Sequence, residues 1–179
     1  MGVREVVNPD AVAREIAMKG LEYGLANLAA ANITQGNTFE NAVTFNDATN
    51  FAIETVLSSA KFDPILLIAK QRGIRTGVVY IGLHSVEDTL QRIKSRVAAG
   101  LHDVPELKVR DRWAKTHQSL ERWAPRVDKL FVFSNNGADR EPITIAEKLD
   151  VDGPITIFDE VEVPEIVAAL KRCGARVVS

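Results

Sequence analysis

Residues 78–105 read VVYIGLHSVEDTLQRIKSRVAAGLHDVP, and this stretch decides the fold class. It begins with a continuous apolar run, typical of a parallel strand covered on both faces, and continues into an amphipathic helix. Ser85 precedes the helix and Asp88 follows three residues later, which is the spacing of a capping box. Four apolar residues at spacings of three and four are expected to face the core. They are Val86, Leu90, Ile93 and Val97.

Basic side chains line this helix and the next one. Arg92 and Arg96 are four residues apart, so they lie on one face of the helix. After a break at Gly100, a second helix is predicted from Pro105 to about Arg122. The basic cluster on the two helices comprises Arg92, Arg96, His102, Arg110 and Arg112. Because a guanidinium group holds phosphate oxygens bidentately and stays charged, the cluster predicts a mobile lid over phosphate groups.

A solvated helix face is the alternative interpretation of this cluster. Acidic residues are interleaved with the basic ones, and exposed pairs of opposite charge need no ligand. They are Glu87, Asp88, Asp103, Glu106 and Asp111. A nucleic-acid patch is the weakest interpretation, because acidic residues interrupt the cluster and no base-stacking pattern accompanies it.

The rest of the chain also alternates strands with helices. Strands are predicted at 4–7, 51–54, 76–83, 130–133, 143–147, 155–158 and 175–178. Helices are predicted at 11–31 with a break at Gly20, and at 63–72, 86–99, 105–122 and 164–172, whereas the polar stretch 32–50 has no clear pattern. We predict a three-layer α/β fold with a mainly parallel sheet flanked by helices. We expect a single domain over residues 1–179, made of 1–60 with the first strands, 61–128 with the central strand and the lid, and 129–179 with the closing strands and the last helix.

Two carboxylates stand at predicted strand ends. Asp10 follows the first strand, after Asn8 as helix N-cap and Pro9 at the first helical position, and Glu54 closes the second strand. Open parallel sheets bind ligands beyond the carboxyl ends of their strands, so Asp10 is a candidate general base. The structural alternatives are a helix-dipole contact for Asp10 and a loop hydrogen bond for Glu54.

Composition narrows the class of protein. The chain has 22 Lys and Arg against 24 Asp and Glu, a formal charge of −2, which argues against a general nucleic-acid coat or a membrane-surface binder. Cys173 has no internal disulfide partner, and the chain shows neither a signal peptide nor a membrane-spanning run. We therefore expect a cytoplasmic protein with no membrane partner. His84 and His117 lack any partner pattern, so no metal ligand is predicted.

Taken in order, these motifs resemble those of the zeta-toxin-like P-loop kinases, a family found in bacterial toxin–antitoxin systems and as free-standing kinases. Residues 7–10 (VNPD) and 13–16 (AREI) are similar to the family's second strand with its catalytic aspartate. Residues 51–55 (FAIET) are similar to its FAIETT segment, and residues 92–105 to its lid. Residues 130–135 (LFVFSN) and 145–148 (IAEK) are similar to its closing strands.

The resemblance implies ATP-dependent phosphorylation of a small-molecule hydroxyl, such as that of UDP-N-acetylglucosamine, with ATP and Mg²⁺ as cofactors. It implies that Asp10 is the catalytic base and that Glu54 and Thr55 bind the substrate. The residues that it implies as ligands of the nucleotide phosphates are Arg92, Arg96, His102 and Arg110. The implied partners are a nucleotide-sugar substrate, an antitoxin protein and, in a homo-oligomer, a second copy of the chain.

The chain departs from the family at the phosphate loop, because its 179 residues contain no GxxxxGKS/T motif. The family's first strand, which lies inside the parallel sheet, is missing with it. One interpretation is a kinase with a lost loop and impaired activity. The other is a non-catalytic relative that binds a nucleotide, a sugar nucleotide or a protein without a cofactor. Since unpaired buried backbone groups cost about 1–3 kcal/mol each, we expect residues 175–178 or a strand of a second copy to replace the missing strand.

Overall fold

A short parallel strand pair organises the first part of the chain. The structure, a computed structural model, describes residues 5–44, 51–100, 103–137 and 141–178. Strands β1 (Glu5–Val7) and β2 (Phe51–Ile53) are parallel, with Val7 opposite Ile53. They belong to a compact unit formed by Met1–Val56 and Lys61–Ile74. The two predicted strands are confirmed to within a residue at each end.

Two helices lie between these strands in the sequence. Helix α1 (Pro9–Met18) begins after the Asn8 cap, and the predicted break at Gly20 is confirmed, since that glycine has a φ of +97°. Helix α2 (Tyr23–Thr44) occupies most of the polar stretch for which the sequence predicts no pattern. Residues 45–50 of that stretch lie outside the described residues.

Small side chains allow α1 and α2 to pack closely. Among the α2 side chains that the structure describes, the buried ones recur every four residues and are Ala26, Ala30, Thr34 and Thr38. Ala13 of α1 is also buried. Helix α3 (Asp63–Gln71) follows a 3₁₀ turn (Ala60–Phe62) and ends before Gly73, as predicted. It buries Ile65, Leu66 and Ala69.

The second compact unit, Leu57–Ala60 with Arg75–Ser179, contains a five-stranded sheet. In sheet order its strands are β3 (Gly77–Gly82), β4 (Lys129–Ser134), β5 (Ile143–Lys148), β6 (Thr156–Ile157) and β7 (Arg176–Val177). The β3–β4 and β6–β7 pairs are parallel, whereas β5 is antiparallel to both of its neighbours. With β1–β2, three of the five described strand pairs are parallel. The predicted α/β class is confirmed.

Three helices accompany this sheet: α4 (Val86–Ala98), α5 (Glu106–Trp123) and α6 (Pro164–Arg172). The core of the unit joins apolar side chains of the strands to those of α5 and α6. Its fully buried members include Leu120, Leu130, Val132, Ile145, Ile157, Ile166 and Leu170. None of the helices in the described ranges has the length and apolarity needed to cross a bilayer.

The expectation that β3 is covered on both faces is wrong. β3 is an edge strand, and its Val79 and Ile81 side chains are 67% and 62% exposed. A continuous apolar run does not distinguish a strand buried on both faces from one buried on a single face. Helix α4 also lies further out than predicted, because it has no fully buried residue and Val97 is 38% exposed.

The proposed role of residues 175–178 as a replacement strand is also wrong. β7 pairs with β6, at the opposite edge of the sheet from β3. The backbone N–H groups of Arg176 and Val178 donate to the carbonyls of Ile155 and Ile157, at 2.8 and 2.9 Å. The short α6 connection brings β7 back beside the strand that precedes it, as in a β–α–β crossover.

Helix α6 approaches the sheet at Gly82, where an added Cβ would overlap Cδ1 of the buried Ile166 side chain. We expect Gly82→Ala to lower the free energy of unfolding by about 1–3 kcal/mol through overpacking. Ile166→Val removes Cδ1 and costs about 0.5–1.5 kcal/mol alone. The double variant should be more stable than Gly82→Ala in urea unfolding. Additive losses would contradict this contact.

Candidate functional site

The parallel register of β1 and β2 brings Glu54, a predicted site residue, beside the predicted N-cap of the first helix at one edge of the strand pair. Because Val7 is opposite Ile53, the residues that follow these strands, Asn8 and Glu54, are neighbours. The Asn8 amide nitrogen donates a hydrogen bond of 2.6 Å to the Glu54 carboxylate. The predicted loop hydrogen bond of Glu54 therefore exists, and its partner is the residue that caps the first helix.

Asn8 is the residue that organises this edge. Its Oδ1 accepts hydrogen bonds from the backbone N–H groups of Asp10 (2.8 Å) and Ala11 (3.1 Å), which confirms its prediction as an N-cap. Its Nδ2 is turned to Glu54 at the same time. Sequence reasoning identified the cap and missed the second contact. The sequence did contain a signal for this contact: an amide side chain, which both donates and accepts hydrogen bonds, follows one predicted strand, and a carboxylate ends another.

Asp10 and Thr55 complete the carboxyl edge of the first unit. Asp10 is exposed in the first turn of α1, and no described side chain binds its carboxylate. Thr55 follows Glu54 and is exposed. The edge therefore combines a carboxylate open to solvent, Asp10, with one held by an amide, Glu54. A polyhydroxylated molecule can donate hydrogen bonds to both.

The second unit has a polar cluster at the carboxyl ends of β3 and β4. These strands pair in parallel through Gly82 and Ser134, so the loops that follow them are adjacent. From α4, Nη2 of Arg92 donates a hydrogen bond of 2.6 Å to the carbonyl of Asn135. The structure therefore places Arg92 at the edge where open parallel strands bind ligands.

The other predicted phosphate ligands have different surroundings. Arg96, one turn after Arg92, is exposed and has no carboxylate partner among the described residues. Arg110 of α5 binds Glu87 and Glu106, both at 2.8 Å. Its hydrogen bond holds the pKa of Glu87 below the usual value. His102 lies outside the described residues.

The two ion pairs of Arg110 agree with the alternative interpretation of the basic cluster, in which it is a solvated helix face. Glu87 and Glu106 are two of the interleaved acids named in that interpretation. All three side chains are exposed, so solvent and salt screen the pairs and they contribute little to stability. Within the part of the chain that the structure describes, no carboxylate binds Arg92 or Arg96 in this way.

A further polar group at the β3–β4 edge was missed by sequence reasoning. The Asn136 side chain accepts from the backbone N–H of His84 (2.6 Å) and donates to both the carbonyl (2.8 Å) and the carboxylate (2.7 Å) of Glu162. The buried Ser134 hydroxyl donates to the same carboxylate at 3.2 Å. Ser134 is the last residue of β4, and the other three residues lie in loops. His84 and Glu162 are 78 positions apart, so no local spacing connects them.

The His84 ring also contacts this group. Its Nδ1 lies 3.1 Å from the carbonyl oxygen of Glu162. Because a carbonyl oxygen only accepts, a hydrogen bond between these two atoms requires the ring to carry a proton on Nδ1. His84 is therefore more than an isolated surface histidine, which is how its sequence context presents it.

The strand-to-helix junctions at the start of α1 and of α4 do not fit a triphosphate. A phosphate site at a helix N-terminus requires free backbone N–H groups. At α1 these groups are bound by Asn8, and Asp10 adds a negative charge. At α4 the Ser85 hydroxyl accepts from the N–H of Asp88 (3.1 Å) and donates to its carboxylate (2.6 Å), with Glu87 beside it. The Ser85 cap is confirmed, but the reciprocal half of a capping box is not formed, because the Asp88 carboxylate accepts from the Ser85 hydroxyl and not from its backbone N–H. The cap and the two carboxylates occupy the position that a phosphate would need.

No group of three or more His, Cys, Asp or Glu side chains within the described ranges converges as a metal site. Comparisons with family models, with curated proteins and with solved structures find no match to this chain. The resemblance to zeta-toxin-like kinases therefore stays a prediction, and any functional conclusion depends on the geometry described above.

Replacing Asn8 separates its two roles. Asn8→Ala removes the cap and the contact to Glu54, and we expect a loss of about 1–2 kcal/mol in the free energy of unfolding. Asn8→Ser retains a capping oxygen on a side chain too short to hold Glu54, so it should recover most of this loss. Urea unfolding of the three proteins measures the difference. Equal stability of the Ser and Ala variants would show that capping is not what Asn8 contributes.

Proposed function

We propose that this chain is a relative of the zeta-toxin-like kinases that binds the hydroxyl-bearing acceptor, with phosphoryl transfer impaired in the 179 residues by themselves. One observation carries the proposal. Asp10 and Glu54 stand at the same carboxyl edge of a parallel strand pair, and Asn8 joins the two strand ends. The motif order of the sequence, with the arginine helix after this edge, supports the same class.

The two carboxylates suit different parts of an acceptor. Asp10 is open to solvent and able to accept the proton of a hydroxyl that is to react. Glu54 has one oxygen bound by Asn8, so its other oxygen is oriented for a second hydroxyl. Thr55 adds a donor and acceptor beside it. A nucleotide sugar of the UDP-N-acetylglucosamine type presents neighbouring hydroxyls of this kind.

The described residues offer fewer groups for binding nucleotide phosphates than for binding the acceptor. Arg92 and Arg96 are the residues that would contact phosphate oxygens, whereas Arg110 is bound by two glutamates. The capped, acidic N-termini of α1 and α4 do not fit ATP with Mg²⁺, so we derive no transfer step through that cofactor. This observation favours acceptor or anion binding by the chain without catalysis, the non-catalytic interpretation of the sequence. The antitoxin partner, the homo-oligomer and the cytoplasmic location stay predictions.

Titration calorimetry with UDP-N-acetylglucosamine tests the acceptor site. We expect the unmodified chain to bind and Asp10→Ala to weaken binding by about tenfold, the value of one hydrogen bond to a charged group. Glu22→Ala is the matched control, because Glu22 is an exposed carboxylate of the same unit outside the strand edge. Circular dichroism should show that both variants are folded.

Three results would contradict the proposal. Absence of binding by the unmodified chain would exclude this substrate class. Equal effects of Asp10→Ala and Glu22→Ala would remove Asp10 from the site. ATP-dependent phosphorylation of the sugar nucleotide by the unmodified chain would show that transfer is not impaired.

A further inference from the structure

β3 is an edge of the five-stranded sheet, and its outer side carries backbone groups that no described strand pairs with. The carbonyl of Gly82 accepts a hydrogen bond of 3.0 Å from the N–H of Asn135, so Gly82 and every second residue before it face β4. Successive residues of a strand direct their backbone groups to opposite sides. The N–H and C=O groups of Gly77, Val79 and Ile81 therefore point away from β4.

The same outward residues present apolar side chains to solvent. Val79 and Ile81 are more than half exposed, and they lie opposite Phe131 and Phe133 of β4 on one face of the sheet. An exposed apolar edge strand offers a row of donors and acceptors on which a further strand can pair. An extended segment with apolar side chains at alternate positions satisfies both the backbone groups and the side chains of this edge.

Natural edge strands usually carry a feature that prevents such pairing, and β3 lacks those that its own sequence could supply. Its six residues, GVVYIG, include no charged residue and no proline. Its register with β4 is continuous over all six pairs, so no bulge twists the edge away. The opposite edge of the sheet, β7, has only two residues, and one of them is Arg176. The capacity of this sheet for further pairing is therefore concentrated at β3.

A second copy of β3 matches this edge in charge and in pattern. The strand itself is neutral, with the exposed Arg75 just before it and the exposed Asp88 in the first turn of the helix that follows. Antiparallel pairing of two copies brings the basic end of one to the acidic end of the other, whereas parallel pairing brings like charges together. When Val79 of each copy is opposite Ile81 of the other, outward backbone groups meet outward backbone groups and apolar side chains are paired.

We propose that two copies of this chain associate through their β3 edges, antiparallel about a two-fold axis, so that their five-stranded sheets become one continuous sheet. The N–H of Val79 donates to the carbonyl of Ile81 in the other copy, and the N–H of Ile81 donates to the carbonyl of Val79. Because each β3 has one open side and the pair uses both, the assembly closes at two copies and does not extend into a fibre. Such an interface is small, so dimerisation depends on protein concentration.

Hydrogen exchange and sedimentation velocity of the unmodified full chain, from about 10 μM to about 1 mM, test this pairing. We expect the protection of the Val79 and Ile81 amides to rise with the fraction of dimer, while the Tyr80 amide, which faces β4, stays protected throughout. A monomer over the whole range would overturn the proposal. Equal protection of Val79 and Ile81 at every concentration would also overturn it, because a segment of the same chain would then cover the edge. A dimer that leaves both amides unprotected would show a different interface.

Val79→Lys adds to β3 the kind of charge that protects natural edge strands, at a side chain that is already exposed. We expect the dimer dissociation constant from sedimentation velocity to rise by about tenfold, because the variant brings two like charges to the paired strands. Leu67→Lys is the matched control, since Leu67 is a similarly exposed apolar residue on α3, and its constant should be unchanged. Circular dichroism checks that both variants are folded. No effect of Val79→Lys, or equal effects of the two variants, would overturn the edge pairing.

Discussion

Parallel pairing of neighbouring strands is the constraint on which both polar clusters depend. In each of the pairs β1–β2 and β3–β4, backbone hydrogen bonds fix which residues end side by side, Val7 with Ile53 and Gly82 with Ser134. The loops that follow the strands must then leave from the same edge. Side chains distant in the sequence become neighbours there, and their polar groups find partners that no local pattern could supply.

An asparagine performs the same task at each edge. Asn8 accepts backbone N–H bonds at the start of α1 and donates to Glu54, while Asn136 accepts the backbone N–H of His84 and donates to Glu162. An amide side chain suits this position because it is donor and acceptor at once. Each asparagine fixes one loop and orients one carboxylate. The edges are therefore built alike, although they belong to different units of the chain.

The arginines illustrate why a residue type alone does not define a site. Arg92, Arg96 and Arg110 have the same guanidinium group, and the sequence presents them as one basic cluster. In the structure Arg92 binds a backbone carbonyl, Arg110 binds two glutamates, and Arg96 has no carboxylate partner among the described residues. The difference arises from which acid lies one helical turn away and which loop lies opposite, so only the assembled fold separates the three.

Most of the helices and strands and their ends could be predicted from the amino-acid sequence, because they depend on local interactions. The Asn8 cap, the Ser85 cap, the breaks at Gly20 and Gly73 and the span of α6 follow from spacing, capping and glycine conformation. Which strands pair could not be predicted in this way. The exposure of Val79, the position of β7 at a sheet edge and the Asn136–Glu162 contact all depend on that pairing and are seen only in the folded chain. A run of apolar residues indicates that a strand is at least partly buried, but it does not show which segment covers the strand or pairs with it. Distant segments of similar local preference can compete for the same pairing, and only the folded chain distinguishes them.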